Sequence, residues 1–192
     1  MTKIVLRNLM LPTLTLVSTL AIADTANWQV VPAESTLSFT ATQNNAPVTG
    51  QFKTFTAELK CNLAQPETCG SNIKIVVDIN SVSDAYNQLS DTLKTAEWFD
   101  TKDFPKAVFQ TSQVSKTGDK AYEAKGSLTI RDKTQPVTLS FNQTDGTDSK
   151  VVFKGTTTIK RTAFGVGTGE WADTNAVKDD VQINFTLSAA KQ

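Results

Sequence analysis

A chain of 192 residues has room for one ordinary domain, and its 19 lysines and arginines offset 19 aspartates and glutamates. That balance removes the broad positive field on which nucleic-acid and anionic-membrane binders rely, so no nucleic-acid partner is expected. With no histidine, histidine-ligated metals and every Ser-His or Cys-His nucleophile pair are excluded.

The first residues read as an export signal. Lys3 and Arg7 give a positive start, Leu9 to Ile22 an apolar stretch, and Ala21-Ile22-Ala23 a small-residue cleavage site. The stretch is shorter than the roughly 20 residues that span a bilayer. Residues 1–23 are therefore expected to be cleaved, leaving 24–192 as a single domain outside the cytoplasm.

Period-two alternation then recurs along the chain. Leu37, Phe39 and Ala41 share one face, and Ile73, Ile75, Val77 and Ile79 repeat the pattern. Further runs centre on Tyr122 to Ile130, Val137 to Phe141, Val151 to Ile159 and Val181 to Leu187. Each reads as a strand that is apolar on one side and wet on the other. Links such as "KTGDK", "RDKTQP" and "TDGTDS" carry turn chemistry and favour antiparallel neighbours. In "GQFKTFTAEL" the apolar parity changes between Phe52 and Phe55, which predicts a bend or bulge there.

Cys61 and Cys69 lie close together in "CNLAQPETC", and in an exported chain a disulfide is expected between them. A redox pair would have the Cys-x-x-Cys spacing, which is missing.

One segment departs from alternation. Tyr86, Leu89, Leu93 and Ala96 follow helical spacing, Ser83 or Asp84 can cap the start, and Pro105 closes the region. The predicted fold is all-β: a single antiparallel barrel of about eight strands with one short helical insert, a two-sheet sandwich being the alternative.

"RTAFGVGTGEWADTNAV" places Gly165, Gly167 and Gly169 between Arg161 and Trp171. A phosphate loop needs a helix behind it, whereas this stretch lies between two β segments and carries Glu170 where the dinucleotide pattern needs glycine. It reads as a loop at one end of a barrel. The aromatics, Phe39, Phe52, Phe55, Trp98, Phe99, Phe104, Phe109, Phe153, Phe164 and Trp171, can fill a barrel of that width or line a cavity within it. Composition leaves both open. Acidic residues are scattered without a concentrated motif, so no catalytic residue is assigned and no enzyme is expected; a hydrolase would need a buried carboxylate pair.

The segments "NNAPVTGQFKTFTAEL", "INSVSDAYNQLSDTLKTAEWFDTKDFPKAVFQ", "YEAKGSLTIRDKTQPVTL" and "IKRTAFGVGTGEW" together resemble the YceI family of bacterial periplasmic proteins. The resemblance implies a lipocalin-like barrel whose elongated apolar interior holds a polyisoprenoid chain, such as a prenyl phosphate or a quinone tail. It also implies that the helical insert and the glycine loop border the pocket. On that basis Phe39, Phe52, Phe55, Leu93, Trp98, Phe99, Phe109, Phe164 and Trp171 would face the lipid. Arg161, and Arg131 after it, would touch a polar head. A bound isoprenoid lipid or quinone is implied, with no covalent cofactor and no metal. Many members carry His-Ser in the first strand, where this chain has Glu34 and Ser35, and Arg-Asp-x-His-Leu in the insert, where it has Leu89 to Leu93. "NNAPVTGQF" and "FGVGTGEWA" resemble a branch found beside a b-type di-haem membrane cytochrome, which implies such a cytochrome as partner. A homodimer is a further expectation.

Overall fold

A computed structural model describes residues 28–84 and 87–191. The expected signal segment and Tyr86 lie outside the described residues. Among the described residues eleven strands form one antiparallel sheet: β1 (Trp28–Val30), β2 (Thr36–Gln43), β3 (Ala46–Phe52), β4 (Phe55–Leu59), β5 (Ile73–Asp78), β6 (Val82–Asp84), β7 (Lys106–Lys116), β8 (Ala121–Ile130), β9 (Lys133–Gly146), β10 (Lys150–Lys160) and β11 (Asp180–Lys191). Their order is β4-β5-β7-β8-β9-β10-β11-β2-β3-β6, with β1 alongside β11. All pairings are antiparallel, and the sheet is one curled layer rather than a sandwich.

Eleven strands stand where about eight were predicted, and the bend foreseen in "GQFKTFTAEL" explains most of the difference. The chain breaks at Lys53-Thr54, so that Phe52 closes β3 and Phe55 opens β4. The partner segment breaks opposite it: β3 pairs with β6 and β4 with β5. Across the break Lys53 N–H donates to Ser81 O at 3.2 Å, Asp78 N–H to Thr54 O at 3.0 Å and Thr54 N–H to Ser81 Oγ at 3.0 Å. Two alternating runs thus become four strands that bend together, and both phenylalanines keep their rings on the concave side despite the change of parity. The short β1 adds the last strand.

Links between strands are tight. The β8–β9 turn needs only Arg131 and Asp132, with Arg131 at φ 56°, and Pro136 lies inside β9 rather than in the turn. Proline has no N–H to give, and β10 meets β9 only from Ser140 onward, so Pro136 sits where β9 is paired on one side.

The helix, α1 (Asn87–Leu93), is shorter than the predicted insert. Ser83 and Asp84 end β6, and the residues that join them to α1 lie outside the described ones; Asp84 accepts the Ser90 hydroxyl at 2.6 Å, which ties α1 to the sheet edge. Ala96 falls in the turns that follow.

The disulfide between Cys61 and Cys69 is formed. Its loop folds under one end of the curled sheet, with Cys69 fully buried and Leu63 2 % exposed among Leu59, Tyr122, Phe141 and Phe153. Replacing both cysteines by alanine should cost about 2.5 kcal/mol on the loop-entropy scale, read as a lower urea midpoint. A change below about 0.5 kcal/mol, the size of an ordinary surface substitution, would mean that Leu63 and Pro66 hold the loop unaided.

Candidate functional site

The concave face of the sheet surrounds an apolar cavity of about 710 Å3, within the roughly 300–1,000 Å3 of ligand pockets. Successive inward positions of β11 (Val181, Ile183, Phe185 and Leu187) line it, which at about 3.4 Å per residue amounts to roughly 20 Å of wall. Many of these inward aliphatics, Leu37, Ile75, Leu128, Leu139 and Ile183 among them, are only half-buried although they point away from bulk solvent. In a filled core they would be closed off. The interior is a bore, which resolves the choice that composition left open.

Glycines keep it open. Gly50 pairs across the ladder with Phe39, and Gly155 with Phe185. A methyl group at either position would lie 2.7 Å from a carbon of that ring. Each ring therefore lies flat on the bare backbone of its neighbour instead of projecting into the lumen. Gly126 receives Phe109 in the same way.

The two ends differ. Leu63 and Pro66 of the disulfide loop close the lower one. At the upper end α1 contributes Gln88, Leu89, Thr92 and Leu93, the β2 terminus contributes Gln43, and Trp98, Phe99, Val166 and Trp171 complete the rim. Phe52 bridges wall and rim, 5.7 Å from the Phe39 ring and 6.0 Å from that of Phe99. Trp98 and Trp171 pack at 5.5 Å, and Trp171 Nε1–H donates to the exposed Glu97 carboxylate at 3.0 Å.

Of the aromatic and aliphatic positions predicted to face a lipid, Phe39, Phe52, Phe55, Leu93, Trp98, Phe99, Phe109 and Trp171 line the bore. Phe164 is a correction. It is 2 % exposed and packed behind the rim in the cluster around Ile130 and Ile159, because the 3-10 turn Arg161–Phe164 points it back into the wall. The strand aliphatics and Leu63 and Pro66 line the bore as well. Alternation already placed the aliphatics on the inward face; the plug residues carried no periodic signal.

Arg161 is the second correction. It is 3 % exposed, and each of its N–H groups is committed to a backbone carbonyl. Nε donates to Lys178 at 3.2 Å, Nη1 to Val166 and Gly167 at 3.0 Å each, and Nη2 to Trp171 and Val177 at 2.8 Å each. The glycine loop thus converges carbonyls on a cation, the opposite polarity to a phosphate cradle. Gly167, at φ 78°, is obligatory: a Cβ there would strike the guanidinium. Burial lowers the Arg161 pKa from its ordinary value, while the Asp179 charge opposes the shift. For Asp179 burial pushes upward, but the Thr162 N–H and hydroxyl and the nearby Lys160 and Arg161 charges outweigh it and hold the carboxyl low.

Arg131 is also occupied. Nη1 donates to Trp98 O at 2.9 Å and Gly165 O at 2.7 Å, and Nη2 lies 3.7 Å from Asp100. Glu34 and Ser35 sit at the opposite end from α1. Glu34 is held below the usual carboxylate range first by the hydrogen bond it accepts from Lys150 and then by that from Ser188, and the Ser35 hydroxyl donates to Val31 O at 2.9 Å. Among the described residues, no carboxylate lines the bore.

The YceI-like domain profile matches residues 28–189. A UPF0312 protein of Pseudomonas putida is 32 % identical over 152 residues, covering 74 % of this chain and 73 % of that protein. The crystal structure of Burkholderia cenocepacia BcnA superposes with a TM-score of 0.76 at 36 % identity, over 83 % of this chain and 98 % of that one. A polyisoprenoid-binding domain from Saccharophagus degradans shares the fold, with a TM-score of 0.71 at 13 % identity, over 87 % and 99 % of the two chains.

Proposed function

This chain belongs to the YceI-like domain family, and on that premise we propose that it is a periplasmic binding protein that sheathes the tail of an isoprenoid lipid, for transport or storage. One observation carries the reading: a hollow apolar bore, plugged below and rimmed above by aromatics. The polyisoprenoid-binding domain of the same fold supports it. An isoprenoid tail in water exposes surface costing about 0.8 kcal/mol per methylene, so a long tail needs a cover to leave a bilayer. A bilayer is equally apolar, and the wall need only match it. Leucine, isoleucine, valine and phenylalanine do that without polar specificity. The inward hydroxyls of Thr111 and Thr157 are already donated to Ile73 O at 3.1 Å and Thr138 O at 2.8 Å.

Protein purified from its own host and examined by native mass spectrometry should carry a stoichiometric apolar ligand that solvent extraction releases as an isoprenoid. Recovery of ligand-free protein that also takes up no added isoprenoid would refute the proposal.

A further inference from the structure

The polar groups of the bore bear on the chemistry of the lipid's head. Among the described residues Arg161 is the one charged residue in the lining. Five N–H groups are the whole complement of a guanidinium, and all five point at carbonyls of the chain. None is left for the paired donation by which arginine grips a phosphate. Arg131 lies outside the lining, bound to two carbonyls and facing Asp100. At the same end Glu97 and Asp179 add negative charge beside Trp171 and Arg161. Lys160, the cation beside Asp179, is paired with Asp180 at 2.6 Å and lies outside the lining, so an anionic head drawn into the rim would lose water and meet no unpaired cation in the lining.

What the rim does offer is neutral. Gln43 and Gln88 line it, from the end of β2 and the start of α1. Within the described residues neither side-chain amide enters a hydrogen bond, whereas the neighbouring Thr92 hydroxyl is given to Gln88 O at 3.0 Å. A primary amide both donates and accepts, which suits a carbonyl or hydroxyl oxygen.

We infer that the bore selects isoprenoid lipids with an uncharged, oxygen-bearing head, of the quinone or alcohol class, over prenyl phosphates, and that Gln43 and Gln88 are the head contacts. This rests on the lipid-sheathing reading above. The test titrates the delipidated protein with four ligands of one geranylgeranyl chain length: the alcohol, a benzoquinone, the diphosphate and the head-free hydrocarbon. Binding is read by tryptophan fluorescence. The alcohol and the quinone should bind about tenfold or more tighter than the diphosphate. The Gln43→Leu/Gln88→Leu double variant should lose about fivefold or more for both neutral heads and nothing for the head-free hydrocarbon of the same length. Diphosphate binding as tight as that of the alcohol overturns the inference and leaves the sheath intact, and so does a double variant that binds all ligands as before. Failure of every ligand to bind overturns both.

Discussion

Ile183→Trp should abolish lipid loading while leaving the fold in place. Ile183 lies on β11 opposite Thr157 of β10 and Phe39 of β2, half-buried and facing the lumen. An indole added there enters empty space, so the overpacking cost of about 1–3 kcal/mol typical of filled cores is largely avoided. The lipid bears the loss instead. Displacing a single five-carbon unit forfeits about 4 kcal/mol at about 0.8 kcal/mol per methylene, roughly a thousandfold in affinity. Isoprenoid titration together with a thermal melt checks both halves. Full loading of the variant would show that the tail does not run past β11.

Arg161→Ala should produce the largest loss of stability of any single substitution at the rim. The guanidinium joins the β10 end, both sides of the glycine loop and the entry to β11 through five carbonyls, and it sits 6.0 Å from the Trp98 ring. Each buried carbonyl left without its donor costs about 1–3 kcal/mol, so even two or three that water does not reach amount to about 3–5 kcal/mol, which in a domain of this size lowers Tm by about 10 °C. Arg161→Lys should recover little, because an ammonium has three donors and no planar fork. Hydrogen exchange should accelerate first at Gly167 and Thr168, whose N–H groups donate to Glu97 O at 2.9 and 2.8 Å. A loss below about 1 kcal/mol, that of one ordinary neutral hydrogen bond, would mean that water satisfies those carbonyls equally well.

The two variants separate what Arg161 and the wall each do. Beside a glycine loop, an arginine invites assignment to a ligand, and nothing local says otherwise. Its acceptors come from Val166, Gly167, Trp171, Val177 and Lys178, and only the return of the chain into β11 brings the last two alongside it. Phe164 misled for a related reason: its neighbours in sequence face the rim, but a 3-10 turn rotates it into the wall.

By itself the sequence determined the all-β class, the inward face of the strands that alternate, the bend after Phe52 and the disulfide. Those rest on contacts between near neighbours: side chains that alternate every second residue, a parity change across two residues, two cysteines within one short loop. Only the tertiary structure decided that the interior is hollow, that Leu63 and Pro66 plug it, and that Arg161 serves the backbone. Whether a curled sheet fills depends on which residues face each other across the ladder. Phe39 opposite Gly50 and Phe185 opposite Gly155 fold their rings against the wall, and the cross-ladder register that sets a ring opposite a glycine leaves no periodic trace in either strand.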